Sequence, residues 1–264
     1  MSVLTLREAP PERLDFLNIT PLSLSKLTEI EAARLPVGTS RRGLTLGDCF
    51  SVALDGSDTL VIEGGSERLD RVGAALSEGT IRIAGDVGQR LGEGMAGGTL
   101  TVEGSAGPFA GSGAIGGTIT IEGDAGDHAG GAVYAARAGL DGATLVIRGR
   151  AGDHLGDRMR RGLLVAGAAG RHAGARMIAG TIAALAVGDH PGLGMRRGTL
   201  LVGRHGAMSP TFVETGSHDL VFLRLLARTL RGVSAAHADL AAGALRRYSG
   251  DLATIGKGEL WAAA

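Results

Sequence analysis

The chain repeats itself, and the repeat leaves few folds open to it. Gly79-Thr-Ile-Arg-Ile-Ala-Gly85, Gly98-Thr-Leu-Thr-Val-Glu-Gly104, Gly117-Thr-Ile-Thr-Ile-Glu-Gly123, Ala143-Thr-Leu-Val-Ile-Arg-Gly149 and Gly198-Thr-Leu-Leu-Val-Gly203 are versions of one short alternating strand, most of them bracketed by glycine. Gly79, Gly98 and Gly117 lie nineteen residues apart and Gly162, Gly180 and Gly198 eighteen apart, with a longer unit between Gly117 and Gly142. A second half-unit joins an acid to Val-Gly or Ala-Gly, as in Gly85-Asp-Val-Gly88 and Gly123-Asp-Ala-Gly126. A third places methionine before glycine, as in Gly94-Met-Ala-Gly97 and Gly194-Met-Arg-Arg-Gly198. Such a period suits one turn of a solenoid.

Alternation supplies the geometry, because residues two apart on a strand share a face. Ile81 and Ile83, Leu100 and Val102, Ile119 and Ile121, Leu145 and Ile147, Leu163 and Val165, and Leu200 and Val202 are therefore expected to point inward. Coils stacked about 4.8 Å apart give a continuous aliphatic column with parallel backbone pairing at each level. The expected fold is all-β, a right-handed parallel β-helix over residues 58–205; right-handed coiling is the default for parallel crossovers. A leucine-rich horseshoe of similar period would show a leucine–asparagine signature and helices that this sequence lacks. Composition agrees with thin, closely stacked layers. There are 46 glycines but one Trp, two Tyr and five Phe, of which just Phe109 and Tyr134 fall within the repeat.

Solenoids need caps, and the flanks are expected to provide them. Residues 1–57 read as an N-terminal capping segment with a helical stretch over 24–34. Residues 206–264 read as a C-terminal helical extension. Within it, Leu220, Leu223, Leu226 and Leu230 form the apolar face of an amphipathic helix over 217–231, with Ser217 as its N-cap.

The formal net charge is zero, so nothing draws the whole molecule to nucleic acid or to an anionic membrane, and charge recognition must be local. The sequence shows no run of about eighteen apolar residues and no signal-peptide start. Cys49 stands alone, which excludes an intrachain disulfide and fits a reducing, cytoplasmic setting.

Four features could carry chemistry. Gly92-Glu-Gly-Met-Ala-Gly97 and Gly111-Ser-Gly-Ala-Ile-Gly116 match a dinucleotide fingerprint only because the repeat is glycine-rich; neither opens a helix in a βαβ unit. His128, His154, His172 and His190 each follow a glycine by two residues and are expected to form a column, read as a hydrogen-bonded polar ladder because ligands along one solenoid edge diverge instead of enclosing a metal. Glu63, Glu103 and Glu122 precede strand-closing glycines and are expected to form a ladder relieved where Glu122 meets Arg148. Arg160-Arg161 and Arg196-Arg197 occupy equivalent corners two coils apart, with Arg158 and Arg176 nearby in register. They read either as a solvated basic edge or as a docking strip for carboxylates. No nucleophile elbow, P-loop or zinc signature is present, so no catalytic residue and no metal ligand is assigned.

Taken together, the Gly-Met-x-x-Gly-Thr-Leu units at Gly94 and Gly194, Gly123-Asp-Ala-Gly-Asp-His128, the block Asp153-His-Leu-Gly-Asp-Arg-Met-Arg-Arg-Gly162 and the trailing Phe222-Leu-Arg-Leu-Leu-Ala-Arg segment resemble the C subunit of formylmethanofuran dehydrogenase. The resemblance covers nearly the whole chain, including Leu44, Gly47, Asp48 and Phe50 before the coils. More distantly, the coils are similar to the glycine-rich C-terminal domain of glutamate synthase. The resemblance implies one of two complexes. In methanogens a tungsten or molybdenum pterin enzyme reduces carbon dioxide to formylmethanofuran. In methylotrophic bacteria a formyltransferase/hydrolase complex moves a formyl group from formyl-tetrahydromethanopterin to a methanofuran-like carrier and releases formate. The alanine- and arginine-rich composition favours the second.

In either case the resemblance places the chemistry in partners: an amidohydrolase-like subunit, a formyltransferase subunit and a pterin-subunit homologue. This chain is then a scaffold that binds no cofactor itself. Because methanofurans carry an acidic glutamyl tail, Arg158, Arg160, Arg161, Arg196 and Arg197 are the expected resting place of that tail or of an acidic partner. The competing class is an independent β-helix enzyme. A polysaccharide lyase would want surface aromatics and clustered acids or bases, and an acyltransferase would show strict hexapeptide repeats; the sequence has neither.

Overall fold

The computed structural model describes residues 1–217 and 220–264. Its strands are β1 (Ser2–Leu6), β2 (Leu14–Asp15), β3 (Phe50–Ala53), β4 (Thr59–Glu63), β5 (Leu69–Asp70), β6 (Thr80–Ala84), β7 (Thr99–Val102), β8 (Thr118–Ile121), β9 (Asp141–Ala151), β10 (Arg161–Ala169), β11 (Thr181–Val187), β12 (Arg197–His205), β13 (Val213–Gly216), β14 (Leu245–Gly250) and β15 (Lys257–Ala263). Five helices accompany them among the described residues: α1 (Pro21–Leu24), α2 (Glu29–Ala33), α3 (Leu46–Cys49), α4 (Val221–Arg231) and α5 (Ala235–Ala242).

One mostly parallel sheet of 13 strands runs through the described residues in the order β13-β14-β15-β12-β11-β10-β9-β8-β7-β6-β4-β1-β3. From β4 to β12 each strand pairs in parallel with the strand of the next coil, Thr80 with Thr99 and Thr99 with Thr118. A second parallel ladder of single bridges joins Ser66, Val87, Ala106, Ala125 and Ala151. Successive coils thus meet along more than one side, as in a β-helix-like solenoid. The two ends are closed by antiparallel pairs, β1 with β3 and β14 with β15.

The core is the aliphatic column that the alternation requires. Ile81, Ile83, Leu100, Val102, Ile119, Ile121, Leu145, Ile147, Leu200 and Val202 are all buried in one cluster reaching from Leu4 to Ala262. One coil departs from expectation. In β10 the inward pair is Leu164 and Ala166, which stand beside Leu145 and Ile147, not Leu163 and Val165. Val165 lies in a second cluster with Val146, Ala183, Leu201 and Trp261, covered by α4 and α5. Both faces of the sheet are apolar here, so alternation alone leaves a one-residue ambiguity, and a slip of one residue exchanges the faces.

The flanks also differ in detail. The single helical stretch expected over 24–34 is divided in two, because Thr20 and Thr28 each start a capping box, with Ser23 and Glu31. α4 begins at Val221 with Leu220 in the N-cap position and no side-chain cap, not at Ser217. Leu223, Leu226 and Leu230 are buried as the pattern requires, whereas Leu220 is exposed. Residues 206–264 are only partly helical. β15 returns to pair in parallel with β12 and adds a further level to the sheet.

Candidate functional site

Each coil turns sharply after its second half-unit, and the turn residues form columns along the solenoid. Arg71, Arg90, Phe109, His128, His154, His172 and His190 occupy one such column, and each adopts φ between 55° and 64°. A left-handed conformation costs a non-glycine residue about 1–2 kcal/mol. Two contacts offset the cost. The backbone N–H of each donates to a carbonyl of the next coil, as from His154 to Arg171 O (2.8 Å) and from His172 to Asp189 O (2.9 Å). The rings stack on one another: Phe109 on His128 at 5.0 Å between centroids, His128 on His154 at 4.8 Å, His154 on His172 at 4.9 Å and His172 on His190 at 5.9 Å.

The histidines therefore do form a column, but not the expected hydrogen-bonded ladder. Nδ1 of His128 and of His154 is buried without a hydrogen-bond partner, and Phe109 extends the stack with no ring nitrogen at all. From Phe109 to His190 the column is held by ring-on-ring contact, with one side-chain hydrogen bond at its end, between His190 Nδ1 and Ser209 Oγ at 3.3 Å, while Arg71 and Arg90 at its other end pair with Asp15 and Glu93. Burial, followed by the positive charges of His154 and His190, pushes the His172 imidazole below its ordinary value of 6.5. Among the described residues no group of three or more His, Cys, Asp or Glu is placed to hold a metal ion. The Cys49 thiol is buried, which pushes its pKa up and leaves it a poor nucleophile.

Aspartates on either side of the Ala-Gly and Val-Gly steps, Asp124 before one and Asp153 and Asp189 after others, clamp coil to coil. Asp153 Oδ1 accepts from the Arg171 N–H at 2.7 Å, Asp124 Oδ1 from the Arg150 N–H at 2.7 Å and Asp189 Oδ1 from the Ala207 N–H at 2.7 Å. Hydrogen bonding from Arg171 holds the Asp153 carboxyl below the ordinary carboxylate range. Of the glutamate ladder, Glu122 meets Arg148 at 3.9 Å. Arg148 also donates to the Val233 carbonyl at 2.6 Å, tying the α4–α5 turn to the sheet.

The corner arginines separate into two groups. Arg160, Arg161, Arg196 and Arg197 line one shallow depression of ≈ 360 Å³ with Ile178, Ala179 and Ile255. Asp141 is the carboxylate that meets them, at 3.2 Å from Arg160 and 3.7 Å from Arg161. Arg196 and Arg197 are exposed and make no ion pair among the described residues. Four guanidinium groups against one carboxylate over a small apolar floor suit an anion with several carboxylates. Arg158 is not part of this depression. Its Nη1 donates to the Ala136 carbonyl at 2.9 Å and its Nε lies 3.5 Å from buried Asp157, which also receives a two-pronged bond from Arg176. Arg158 thus holds the longer coil in place, and Arg176 ties its own turn to Asp157.

A larger groove, ≈ 740 Å³, lies between α4 and α5, where Arg224, Arg228 and Arg231 rim a floor that includes Ala227, Ala241 and Leu245. Sequence periodicity identified the buried face of α4 but gave no reason to single out these arginines. His237, also unanticipated, is buried with Nε2 2.9 Å from the Ala166 carbonyl and Nδ1 2.8 Å from Ser234 Oγ. The carbonyl can only accept, so Nε2 carries the proton. Burial pushes this imidazole below its ordinary value, against the Ala166 carbonyl, which favours the protonated ring.

No family model matches the chain. A search among characterised proteins finds the C subunit of the formyltransferase/hydrolase complex Fhc of Methylorubrum extorquens, 73% identical over 262 residues, which are 99% of either chain. Among solved structures, the crystal structure of the formyltransferase/hydrolase complex (FhcABCD) from Methylorubrum extorquens in complex with methylofuran contains a chain of 73% identity that superposes with a TM-score of 0.98 and 99% coverage of both chains. Identity of this depth along almost the full length, on the same backbone, makes the chain a member of the family of C subunits of formyltransferase/hydrolase complexes.

Proposed function

We propose that this chain is the non-catalytic scaffold of a cytoplasmic formyltransferase/hydrolase complex. In that complex a formyl group passes from formyl-tetrahydromethanopterin to a methanofuran-like carrier and is released as formate. The observation that carries the reading is the 73% identity, over 99% of both chains, to the C subunit of such a complex. The continuous core from Leu4 to Ala262 supports a rigid body on which an amidohydrolase-like subunit, a formyltransferase subunit and a pterin-subunit homologue are held in register. We read the solenoid as a right-handed parallel β-helix over residues 58–205, with residues 1–57 and 206–264 closing its ends.

Within this reading, Arg160, Arg161, Arg196 and Arg197 receive a polycarboxylate, the acidic tail of the carrier or an acidic partner segment, while Arg158 is held outside the depression by Ala136 O and Asp157. A gentle affinity purification of the native chain, with mass spectrometry of its stoichiometric partners and a formyl-transfer assay on the eluate, tests the scaffold role. Recovery of the chain alone with an activity of its own overturns it. Within the complex, the Arg160→Glu/Arg196→Glu/Arg197→Glu variant is expected to lose carrier retention or partner affinity at least tenfold, more severely at low salt. Unchanged carrier content, assembly and formyl transfer would remove the depression from the proposal.

A further inference from the structure

We infer that the outer face of α4 is a docking surface for a sister subunit that presents an apolar strip edged by carboxylates. The inference rests on the reading of this chain as one member of a multi-subunit complex, and it names a surface that reading leaves unassigned.

The helix has two apolar faces. Leu223, Leu226, Ala227 and Leu230 face the sheet and are buried. A helix that needs only to cover a sheet is polar on its other side. α4 instead exposes Val221 (66%), Leu225 (59%) and Phe222 (41%). At 100° per residue, Val221 and Leu225 fall on one outward stripe with Phe222 at its flank, a contiguous apolar strip and not scattered exposure. This segment is also well anchored: Arg148 donates to Val233 O and His237 reaches Ala166 O, so its outer face is presented on a fixed base.

Charge decides the occupant. Every charged residue of α4 is an arginine, namely Arg224, Arg228 and Arg231. Arg228 falls on the line of the apolar stripe, next to Leu225, and Arg224 and Arg231 lie along one side of it; all three rim the groove toward α5. Arg231 leans on Asp239 at 3.5 Å, while Arg228 makes no ion pair among the described residues. A second copy of this chain would bring the same all-arginine helix against itself, and like charges in close contact oppose that pairing. A surface with an apolar strip for Val221, Phe222 and Leu225 and a carboxylate for Arg228 is complementary on both counts.

The test uses the complex co-expressed with all its subunits and purified through a tag on this chain. Two variants are compared with the wild type, Val221→Ser/Leu225→Ser, which leaves the charge of the helix unchanged, and Arg228→Glu. Circular dichroism and the melting temperature of the purified material confirm that the chain is folded. The expected result is selective loss of one sister subunit, at least tenfold below wild-type stoichiometry for the serine pair, with Arg228→Glu giving a loss that deepens at low salt. Wild-type stoichiometry in both variants overturns the inference. So does a variant that abolishes only self-association of this chain, or only binding to vesicles containing phosphatidylglycerol, while every sister subunit is retained. If the wild-type chain retrieves no sister subunit at all, the scaffold reading itself fails, an outcome distinct from failure of this surface.

Discussion

The turn column shows how a single residue position is chosen by the coils above and below it. Phe109 and His128 share a backbone conformation and stack at 5.0 Å, so the position accepts a flat ring of either polarity. The imidazoles add a dependence on pH. The folded-state pKa of His172 lies below its ordinary value of 6.5 because burial and the neighbouring His154 and His190 disfavour the cation, an effect Arg171 reinforces and Asp153 opposes. In the unfolded chain His172 takes up a proton near that ordinary value, and in the folded chain only at lower pH. Stability is therefore full above about pH 6.5 and declines as the pH falls below it. Thermal unfolding followed from pH 8 to pH 5 is expected to show that decline, and His172→Phe is expected to flatten it while keeping the chain folded at pH 8. An unaltered slope in the variant would remove His172 as its source. Asp153 acts in a lower window, because its depressed carboxyl pKa gives stability that is lost only as the pH falls below about 4. Sequence spacing was enough to align the histidines. It did not show that Phe109 and two arginines share their column, because nothing in a glycine-rich repeat advertises that non-glycine residues take the left-handed turn.

At the scale of the element, the legible part of the sequence is the part with one apolar face. Ile81, Ile83, Ile119 and Ile121 alternate with polar neighbours, and their inward orientation follows directly. In β9 to β12 the outward positions Val146, Val165, Ala183 and Leu201 are apolar as well, because α4 and α5 cover them, and the pattern no longer distinguishes inside from outside. Leu164→Ala is expected to cost about 2–5 kcal/mol, as for truncation of a fully buried leucine. Leu163→Ala, at a half-buried position against the helices, is expected to cost about 1 kcal/mol. Denaturant unfolding of the two variants checks the assignment, and a reversed order would restore the other register. The arginine depression was partly legible for the same kind of reason. The equivalent placement of Arg160-Arg161 and Arg196-Arg197 is a matter of counting residues, whereas the diversion of Arg158 to Ala136 O depends on the longer coil, whose path no periodicity describes.

Across the whole molecule, the C-terminal segment does two jobs at once. β15 pairs with β12, and α4 and α5 cover the second cluster of buried side chains. A chain ending at residue 205 would leave the backbone of β12 unpaired along one edge and bare the apolar outward face of β9 to β12. Such an edge is a template for association with other chains. Expression of residues 1–205 is expected to yield more aggregated material than the full chain expressed in parallel, read by light scattering and the fraction left in the supernatant. A monomeric, cooperatively unfolding product would mean that the coils cap themselves.

The parallel ladder between the two antiparallel ends also makes the protein a gauge block. Each coil adds one strand spacing, so the seven steps from β4 to β12 set roughly 34 Å. This length can change only in whole coils. A relative that held its neighbours closer or farther apart would have to delete or duplicate a whole coil, because extra residues within one coil, as in the longer unit between β8 and β9, leave the aliphatic column in line and add no strand spacing.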